Sequence, residues 1–205
     1  MSANGQETEV KFYVRDLKKV KSRLLELKAQ LIQSRVHEVN YRFDFPDGSL
    51  RRDFKVLRLR NDTEAKFTFK GPSEELEGGV MSRQEIEFTV GDFESAKHFL
   101  ELLGYVPVVF YEKFRTTFEL KDVHIMLDEL PYGTFVEIEG ENFQTLSEIA
   151  GLLGLNWNEM VKAGYHALFD RVAEKFKLKS ADLSFKALES VRITADDLSI
   201  RAADL

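Results

Sequence analysis

Charged and apolar residues alternate along much of this chain with a period of two residues. In the first such segment, Glu7, Glu9 and Lys11 alternate with Val10 and Phe12. A period of two is the repeat of a β-strand, because successive side chains of a strand point to opposite faces of the sheet. The pattern predicts a sheet with one charged face and one apolar face. The predicted strands span residues 7–13, 36–45, 56–60, 64–70, 83–88, 113–119, 123–128 and 135–139.

Helices are predicted between and after these strands. Asp16 is a favourable N-cap residue, and the apolar residues after it recur at helical spacing as far as Leu31, so the first helix is predicted to end before Arg35. Asp92 caps the second helix in the same way, and Gly104 ends it. The second, third and fourth helices are predicted at residues 93–103, 145–153 and 158–176.

Two segments lie outside this regular pattern. Residues 71–79 begin with Gly71 and Pro72 and are acidic, which predicts a loop that can act as a lid. Residues 176–205 contain isolated apolar residues without a sustained period. They are predicted to form a loosely packed C-terminal extension of unknown role, next to a main domain at residues 1–175.

The amino-acid composition excludes several kinds of functional site and partner. The chain has no cysteine, so disulfides, cysteine-ligated zinc and thiol nucleophiles are excluded, and any metal must bind oxygen or histidine. A formal net charge of −6 argues against nucleic acid and anionic membranes as partners, since both attract basic surfaces. The N-terminus has no signal-peptide pattern and no apolar run is long enough to span a membrane, so a soluble cytoplasmic protein is expected.

The histidines lack the spacing of metal ligands, so surface or packing roles are expected for them. His166 falls in the last predicted helix and is expected outside the charged face of the sheet. The other three are His37, His98 and His124.

Two architectures are open to a sheet in which every strand is charged on one side. An open sheet turns the charged face to water, whereas a closed sheet turns it inward and covers its apolar face with helices. An inward charged face must be wet, mutually paired or filled by a ligand, because moving one ion into a dry interior has an idealised cost of about 20 kcal/mol. The residues alone leave both architectures open.

The charged face combines two kinds of side chain. Glutamates of the first and last strands offer oxygen ligands, which Mg²⁺ and Mn²⁺ prefer. Lysines and arginines along the strands can bind phosphate oxygens, and an arginine can make two such hydrogen bonds at once. Several cations together favour a polyphosphate ligand. The carboxylates are Glu7, Glu9, Glu137 and Glu139, and the cations are Lys11, Arg58, Arg60, Lys70, Arg83, Lys113 and Arg115.

The first-strand motif Glu7-x-Glu9-x-Lys11 resembles the ExExK signature of the CYTH, or triphosphate tunnel metalloenzyme, superfamily. Further segments resemble the family in the same order, and together they cover residues 6–175, nearest the class IV adenylate cyclase-like branch. The resemblance implies an α+β fold: a closed eight-stranded antiparallel β-barrel with flanking helices, in which a triphosphate lies along the axis. The segments are LRLR at 57–60, TFKGP at 68–72, SRQEIEF at 82–88, YEKFRTTF at 111–118, LDELPYGTFVEIEGE at 127–141 and GYHALF at 164–169.

The resemblance also implies roles for individual residues. Asp128 joins Glu7, Glu9, Glu137 and Glu139 as a metal-site carboxylate for Mg²⁺ or Mn²⁺. Glu85, Glu87 and Lys11 are the candidate catalytic residues. The candidate substrate-binding residues are Lys11, Arg58, Arg60, Lys66, Lys70, Arg83, Lys113 and Arg115.

Three functions remain open from the sequence. A class IV adenylate cyclase converts ATP to cyclic AMP and pyrophosphate, whereas a triphosphate hydrolase of the same family cleaves ATP, inorganic triphosphate or thiamine triphosphate. A binding module would hold polyphosphate or a triphosphate metabolite without turnover, but an anion-binding module gains nothing from the carboxylates unless a metal is present. A homodimer is compatible with each of these functions.

Overall fold

The computed structural model describes residues 6–178 and 182–204, with side chains in the first strand described from Thr8 onward. Nine strands and five α-helices are found in this part of the chain. The strands are β1 (Gln6–Val14), β2 (Gln30–Asp44), β3 (Val56–Asn61), β4 (Ala65–Glu75), β5 (Met81–Val90), β6 (Val106–Leu120), β7 (Val123–Leu130), β8 (Gly133–Glu139) and β9 (Asp182–Leu183). The helices are α1 (Leu17–Glu26), α2 (Ser49–Arg52), α3 (Phe93–Leu102), α4 (Phe143–Leu152) and α5 (Tyr165–Phe176).

The first eight strands form a closed ring. Their order is β2-β3-β4-β5-β1-β8-β7-β6, and β6 pairs back with β2. Every pairing within the ring is antiparallel. The closed eight-stranded antiparallel fold predicted from the sequence is therefore confirmed, and the open-sheet alternative is excluded.

Alternation along the strands separates an apolar outer face from a charged inner face. On β1, Val10, Phe12 and Val14 are buried against a core that includes Leu24 of α1 and Leu146 of α4. The helices thus cover the apolar face of the ring, and burial of this face is the main force that stabilises the closed form. The intervening charged residues are left to point into the ring.

The first helix ends earlier than predicted. Lys28 adopts a left-handed conformation with φ 58°, and its N–H donates to the Leu25 carbonyl at 3.0 Å. The N–H of Ala29 donates to the Leu24 carbonyl at 2.9 Å, which completes a Schellman motif. This motif ends α1, so Leu31 lies in β2 instead of continuing the helical stripe.

The predicted lid at residues 71–79 is a paired hairpin instead of a free loop. β4 continues to Glu75 and pairs with β5, which starts at Met81. At the tip, the indole Nε1 of Trp157 donates to the Gly78 carbonyl at 3.2 Å. Gly78 also lies against the ring of Phe143, so the hairpin packs on α4 and on the 3₁₀ turn at Trp157–Glu159.

The fourth predicted helix, at residues 158–176, is interrupted. The chain after Trp157–Glu159 is extended, because the N–H of Val161 donates to the Lys11 carbonyl at 2.7 Å and Met160 forms a bridge to Phe12. Backbone pairing with β1 is incompatible with a helix at these positions. The regular helix, α5, begins only at Tyr165.

The described part of the C-terminal segment is packed, contrary to the expectation of a loose extension. β9 pairs in parallel with β6, and Leu188, Leu198 and Ala203 are buried. The carboxylate of Asp204 accepts hydrogen bonds from two backbone N–H groups that follow β1. The segment therefore folds back along the ring. Within residues 6–178 and 182–204, the structure has no helix of the length and apolarity that a membrane span requires.

Candidate active site

The ring encloses a cavity of about 270 Å³. Its walls come from the inner faces of the strands, and α5 and β9 contribute at one end. Most of the predicted site residues line it. These are Glu9, Lys11, Arg58, Arg60, Lys70, Arg83, Glu85, Glu87, Lys113, Arg115, Glu137 and Glu139.

Three predicted site residues are placed differently. Lys66 lies outside the cavity lining, with Nζ 3.9 Å from the Glu64 carboxylate. Asp128 is fully buried and does not line the cavity, because the cavity-lining side chains of Lys113, Arg115 and Tyr165 contact and cover it. Glu7 pairs with Arg83 in the register of β1 and β5, but its side chain lies outside the described part of the structure.

Lys11 and Glu137 form the centre of a buried charge network. Lys11 Nζ lies 2.6 Å from Glu137 Oε1 and 3.8 Å from Glu9 Oε1. Burial opposes the charged form of Lys11, but Glu137 and Glu9 outweigh it and raise the pKa of the Lys11 ammonium. Burial likewise opposes ionisation of Glu137, but Lys11 and Arg115 hold the pKa of its carboxyl well below the usual value. Both groups are therefore charged at neutral pH.

Asp128 joins this network from β7, the strand between β6 and β8. Arg115 binds both Asp128 and Glu137, with its Nε 2.6 Å from Asp128 Oδ1. Lys113 Nζ lies 3.0 Å from Asp128 Oδ2, and the hydroxyl of Tyr165 donates to the same oxygen at 2.8 Å. Burial, followed by the charge of Asp128, raises the pKa of Tyr165 well above its usual value, so the phenol stays protonated and remains a donor. The carboxylate of Asp128 thus holds two cations in fixed positions.

Glu38 is a functional-site candidate that was absent from the sequence prediction. It is almost completely buried, accepts a hydrogen bond from Asn40 Nδ2 at 3.0 Å, and lies 3.7 Å from Lys113. Burial opposes its ionisation, but the surrounding cations, Lys113 first, lower the pKa of Glu38 to about 2. The alternation of polar residues at 38, 40 and 42 in β2 was the signal that could have revealed it.

The opposite wall is also a network of ion pairs. The carboxylate of Glu87 lies 2.8 Å from Arg60 Nη2 and 3.5 Å from Arg58 Nη2, and it accepts a hydrogen bond from Thr68. Lys70 Nζ lies 2.6 Å from Glu85 Oε2. The carboxylates of this wall hold the cations at defined positions around the cavity, which prepares those cations to meet an anion.

The acidic side chains have the chemistry of a Mg²⁺ or Mn²⁺ site. Glu9 lies directly opposite Glu139 in the register of β1 and β8, and like charges in this position repel each other unless a cation lies between them. Hard divalent cations prefer such carboxylate oxygens. Among the described side chains, no three acidic or histidine groups converge closely enough to form a metal site by themselves. Glu9 and Glu139 therefore supply part of the donor set that such a metal requires.

Five further polar residues line the cavity and were missing from the predicted site: Arg42, Tyr111, Tyr132, Tyr165 and His166. Arg42 and Tyr111 come from β2 and β6, and Tyr165 and His166 come from the first turn of α5. The expectation that His166 lies outside the site is wrong, because Gly164 and the first turn of α5 face the end of the ring. Burial, with the nearby guanidinium of Arg42, lowers the pKa of His166 to about 4, so its imidazole is neutral at neutral pH.

Known proteins share both the sequence pattern and the ring. The sequence pattern of the CYTH domain matches residues 5–153. A curated protein of Methanocaldococcus jannaschii, provisionally named an adenylate cyclase, is 25% identical to this chain over 170 residues. That alignment covers 78% of this chain and 95% of the relative.

Two solved structures show the same fold. A protein of Vibrio parahaemolyticus, provisionally named an adenylate cyclase, has a TM-score of 0.70 at 22% identity, over 78% of this chain and 96% of its own. HpAC1 of Hippeastrum, provisionally named an adenylyl cyclase and described as having a dominant triphosphatase activity, has a TM-score of 0.62 at 19% identity. Its alignment covers 80% of this chain and 95% of its own. Because the CYTH pattern matches most of the sequence, this chain belongs to the CYTH domain family.

Proposed function

We propose that this protein is a divalent-metal-dependent hydrolase of triphosphates. The observation that carries the proposal is the set of lysines and arginines around the cavity, most of them held by carboxylates. The cavity volume of about 270 Å³ lies just below the roughly 300–1,000 Å³ of sites that enclose drug-sized ligands. It therefore suits a phosphate chain better than a whole nucleotide.

The cations would bind and orient the phosphate chain. Arg58 and Arg60 of β3 and Lys113 and Arg115 of β6 line the cavity from the two strands that flank β2. Lys11 of β1 and Lys70 of β4 line it from other strands, so an anion along the axis meets donors from several sides. Such donors stabilise charge that develops on the leaving phosphate, because they are fixed before the reaction and need no reorganisation. The arginine guanidinium groups can each bind two phosphate oxygens.

Glu9, Glu137 and Glu139, together with Glu7, would hold Mg²⁺ or Mn²⁺. When bound there, the metal supplies charge neutralisation and polarises a phosphoryl oxygen. The arrangement around Asp128 supports a positioning role for that residue, because its oxygens already accept from Lys113, Arg115 and Tyr165.

Lys11 and Glu85 would take part directly in hydrolysis. Lys11 lines the cavity while it is held by Glu137, and it would neutralise charge on the phosphoryl group under attack. Glu85 lines the same cavity and would accept the proton of the attacking water. The new phosphorus–oxygen bond forms as the bridging phosphorus–oxygen bond breaks, the phosphate chain leaves as pyrophosphate, and Glu85 then returns the proton to solvent.

A class IV adenylate cyclase is the second candidate, supported by the name of the M. jannaschii relative. In that reaction the 3′-hydroxyl of ATP attacks the α-phosphorus and releases pyrophosphate. The tunnel would hold the triphosphate in the same way, and the nucleoside would lie at its open end.

Product analysis separates these candidates. The purified chain is supplied separately with ATP, inorganic triphosphate and thiamine triphosphate in the presence of Mg²⁺ or Mn²⁺, with the double variant Glu9→Gln, Glu139→Gln as a control. The proposal predicts orthophosphate from inorganic triphosphate, and none from the control. Cyclic AMP with pyrophosphate from ATP would select the cyclase, and binding without any product would select a binding module.

A further inference from the structure

The C-terminal part of the chain lines one end of the cavity. Along β6, pairing with β7 begins only at Phe114, so the preceding residues of β6 lack that neighbour. β9 occupies this place and pairs with β6 at Phe110 and Tyr111. Leu183 of β9 is buried and lines the cavity. The start of α5, at Gly164 and Tyr165, lines the same cavity.

Arg42 lies in the wall at this end, where Arg51 and Arg58 repel its charge and Asp170 attracts it only from beyond ion-pair distance. It is directly opposite Arg58 in the register of β2 and β3, which places two guanidinium groups side by side. The other cavity-lining cations have carboxylates within ion-pair distance, as in the pairs of Arg58 with Glu87 and of Lys70 with Glu85. For Arg42, the described residues provide neither an ion pair nor a hydrogen bond.

The surroundings of Arg42 are suited to an anion of limited length. The guanidinium offers five donors, and a neighbouring anion would relieve its repulsion with Arg58. The apolar residues Val109 and Leu183 line the cavity next to it, because Val109 is paired with Arg42 and Leu183 with Tyr111 in the strand register. An additional phosphate there would lose its hydration without gaining a donor, which is strongly unfavourable.

We propose that the C-terminal segment closes this end of the cavity and that the terminal phosphoryl group of the substrate binds there. Arg42 is the residue that binds this group. Leu183 is the stop, the residue that limits the length of the phosphate chain. The inference rests on the proposed function in one respect, since it takes the ligand of the cavity to be a phosphate chain. The substrate then enters from the opposite end with its phosphates first. Triphosphates are favoured over longer polyphosphates because Leu183 blocks further penetration.

Binding measurements test the role of Arg42. Inorganic triphosphate is titrated calorimetrically into the full chain without divalent metal, so that no turnover occurs. Arg42→Met is expected to weaken binding about tenfold or more, the typical loss of hydrogen bonds to a charged group. Arg52→Met is the control, because Arg52 is exposed on α2 and outside the cavity lining. Arg42→Met binding within twofold of the wild type would overturn the assignment.

A comparison of phosphate chains of different length tests whether Leu183 limits the length of the ligand. Inorganic triphosphate and tetraphosphate are titrated into the wild type, Leu183→Ala and Leu188→Ala. Leu183 and Leu188 are 2% and 3% exposed in the same segment, so both variants lose a similar buried side chain, but only Leu183 lines the cavity. Leu183→Ala is expected to raise the affinity for tetraphosphate relative to triphosphate about tenfold, and Leu188→Ala is expected to leave that ratio unchanged. An unchanged ratio in Leu183→Ala, or an equal shift in both variants, refutes the stop.

The proposed function and the inference about Arg42 can be refuted independently of each other. A chain that binds triphosphate through Arg42 and hydrolyses no triphosphate defeats the proposed function alone. A chain that hydrolyses triphosphate while Arg42→Met binds it normally defeats this inference alone. A wild type that binds no triphosphate defeats both.

Discussion

Lys11 of β1 and Glu137 of β8 lie opposite each other in register, with Lys11 Nζ 2.6 Å from Glu137 Oε1. Each side chain is less than a tenth exposed. A buried ion pair is weak evidence for stability, because removing both charges from water costs about as much as their attraction returns. Its place on the cavity wall instead supports a role in binding an anion and a metal together.

Replacement of Lys11 tests its assigned part in catalysis. Lys11→Met removes the ammonium, while Glu137 keeps its contact with Arg115. We expect kcat for inorganic triphosphate to fall about 100- to 1,000-fold, as it does when a fixed donor to the developing charge is lost. Steady-state kinetics measure the effect, and Lys18→Met is the control because Lys18 is exposed on α1. Equal rates in the two variants would remove Lys11 from the mechanism.

Replacement of Glu38 tests whether ion pairs on the inner face of the ring stabilise the fold. Glu38→Gln removes one buried carboxylate from beside Lys113 and Arg60, although Lys113 keeps Asp128 and Arg60 keeps Glu87. We expect this loss to lower the free energy of unfolding at pH 7 by about 3 kcal/mol. Urea denaturation measures this difference. A loss below about 1 kcal/mol would show that water or other carboxylates already balance these cations.

The same residue predicts a pH dependence. The folded pKa of Glu38 is about 2, below its usual value of 4.5, so its stabilising contribution is fully present above about pH 4.5 and is lost as the pH falls towards 2. Linkage gives roughly 3 kcal/mol for a shift of this size. The stability difference between the wild type and Glu38→Gln should therefore narrow across this range. A difference that stays constant with pH would contradict the buried, charged state of Glu38.

Glu9 and Glu139, which lie opposite each other, are predicted to bind a divalent metal, and this binding can be measured without catalysis. Glu139→Gln removes one of the two facing carboxylates, so we expect the affinity for Mn²⁺ to fall about tenfold or more. Electron paramagnetic resonance of free Mn²⁺ measures the binding. Glu148→Gln is the control, since Glu148 is exposed on α4 and pairs with Lys121. Unchanged Mn²⁺ affinity in Glu139→Gln would place the metal elsewhere.

The contact at the hairpin tip predicts that replacement of Gly78 by alanine destabilises the fold more than replacement of Gly91. A Cβ at Gly78 would lie 2.2 Å from the Phe143 ring, and the backbone there has φ 72°. We expect Gly78→Ala to lower the free energy of unfolding by about 1–3 kcal/mol and to change the emission of Trp157, the single tryptophan. Gly91→Ala is the control, because the space around Gly91 is open. Equal effects of the two substitutions would show that the tip does not depend on this contact.

The strands and most of the cavity lining were predictable because alternation is a local property of the sequence. Glu9, Lys11 and Glu137 were assigned to one charged face before any contact was known, and the structure places them together. The closure of the ring depends on pairing between β2 and β6, which are distant in the chain. Periodicity does not report such pairing, so the residues left the open sheet possible and the family resemblance favoured the closed ring.

The remaining site residues depend on where helices and the C-terminal segment lie. Helical periodicity predicts that α5 exists, but it does not predict that Tyr165 and His166 face the cavity. β9 consists of two residues, too few to show a period, although Leu183 lines the cavity end. Glu38 and Arg42 were predictable from the sequence, because they alternate with Val39 and Tyr41 and so share the polar face of β2.

The central claim is that the ring holds the triphosphate, and a crystal structure with inorganic triphosphate and Mn²⁺ tests it most directly. We predict phosphate density inside the ring, in contact with Lys11 and Arg115, with its terminal group at Arg42. Anomalous scattering should place Mn²⁺ at Glu9 and Glu139. Phosphate and Mn²⁺ bound only outside the ring, with the charge network around Lys11 and Glu137 intact, would contradict the account.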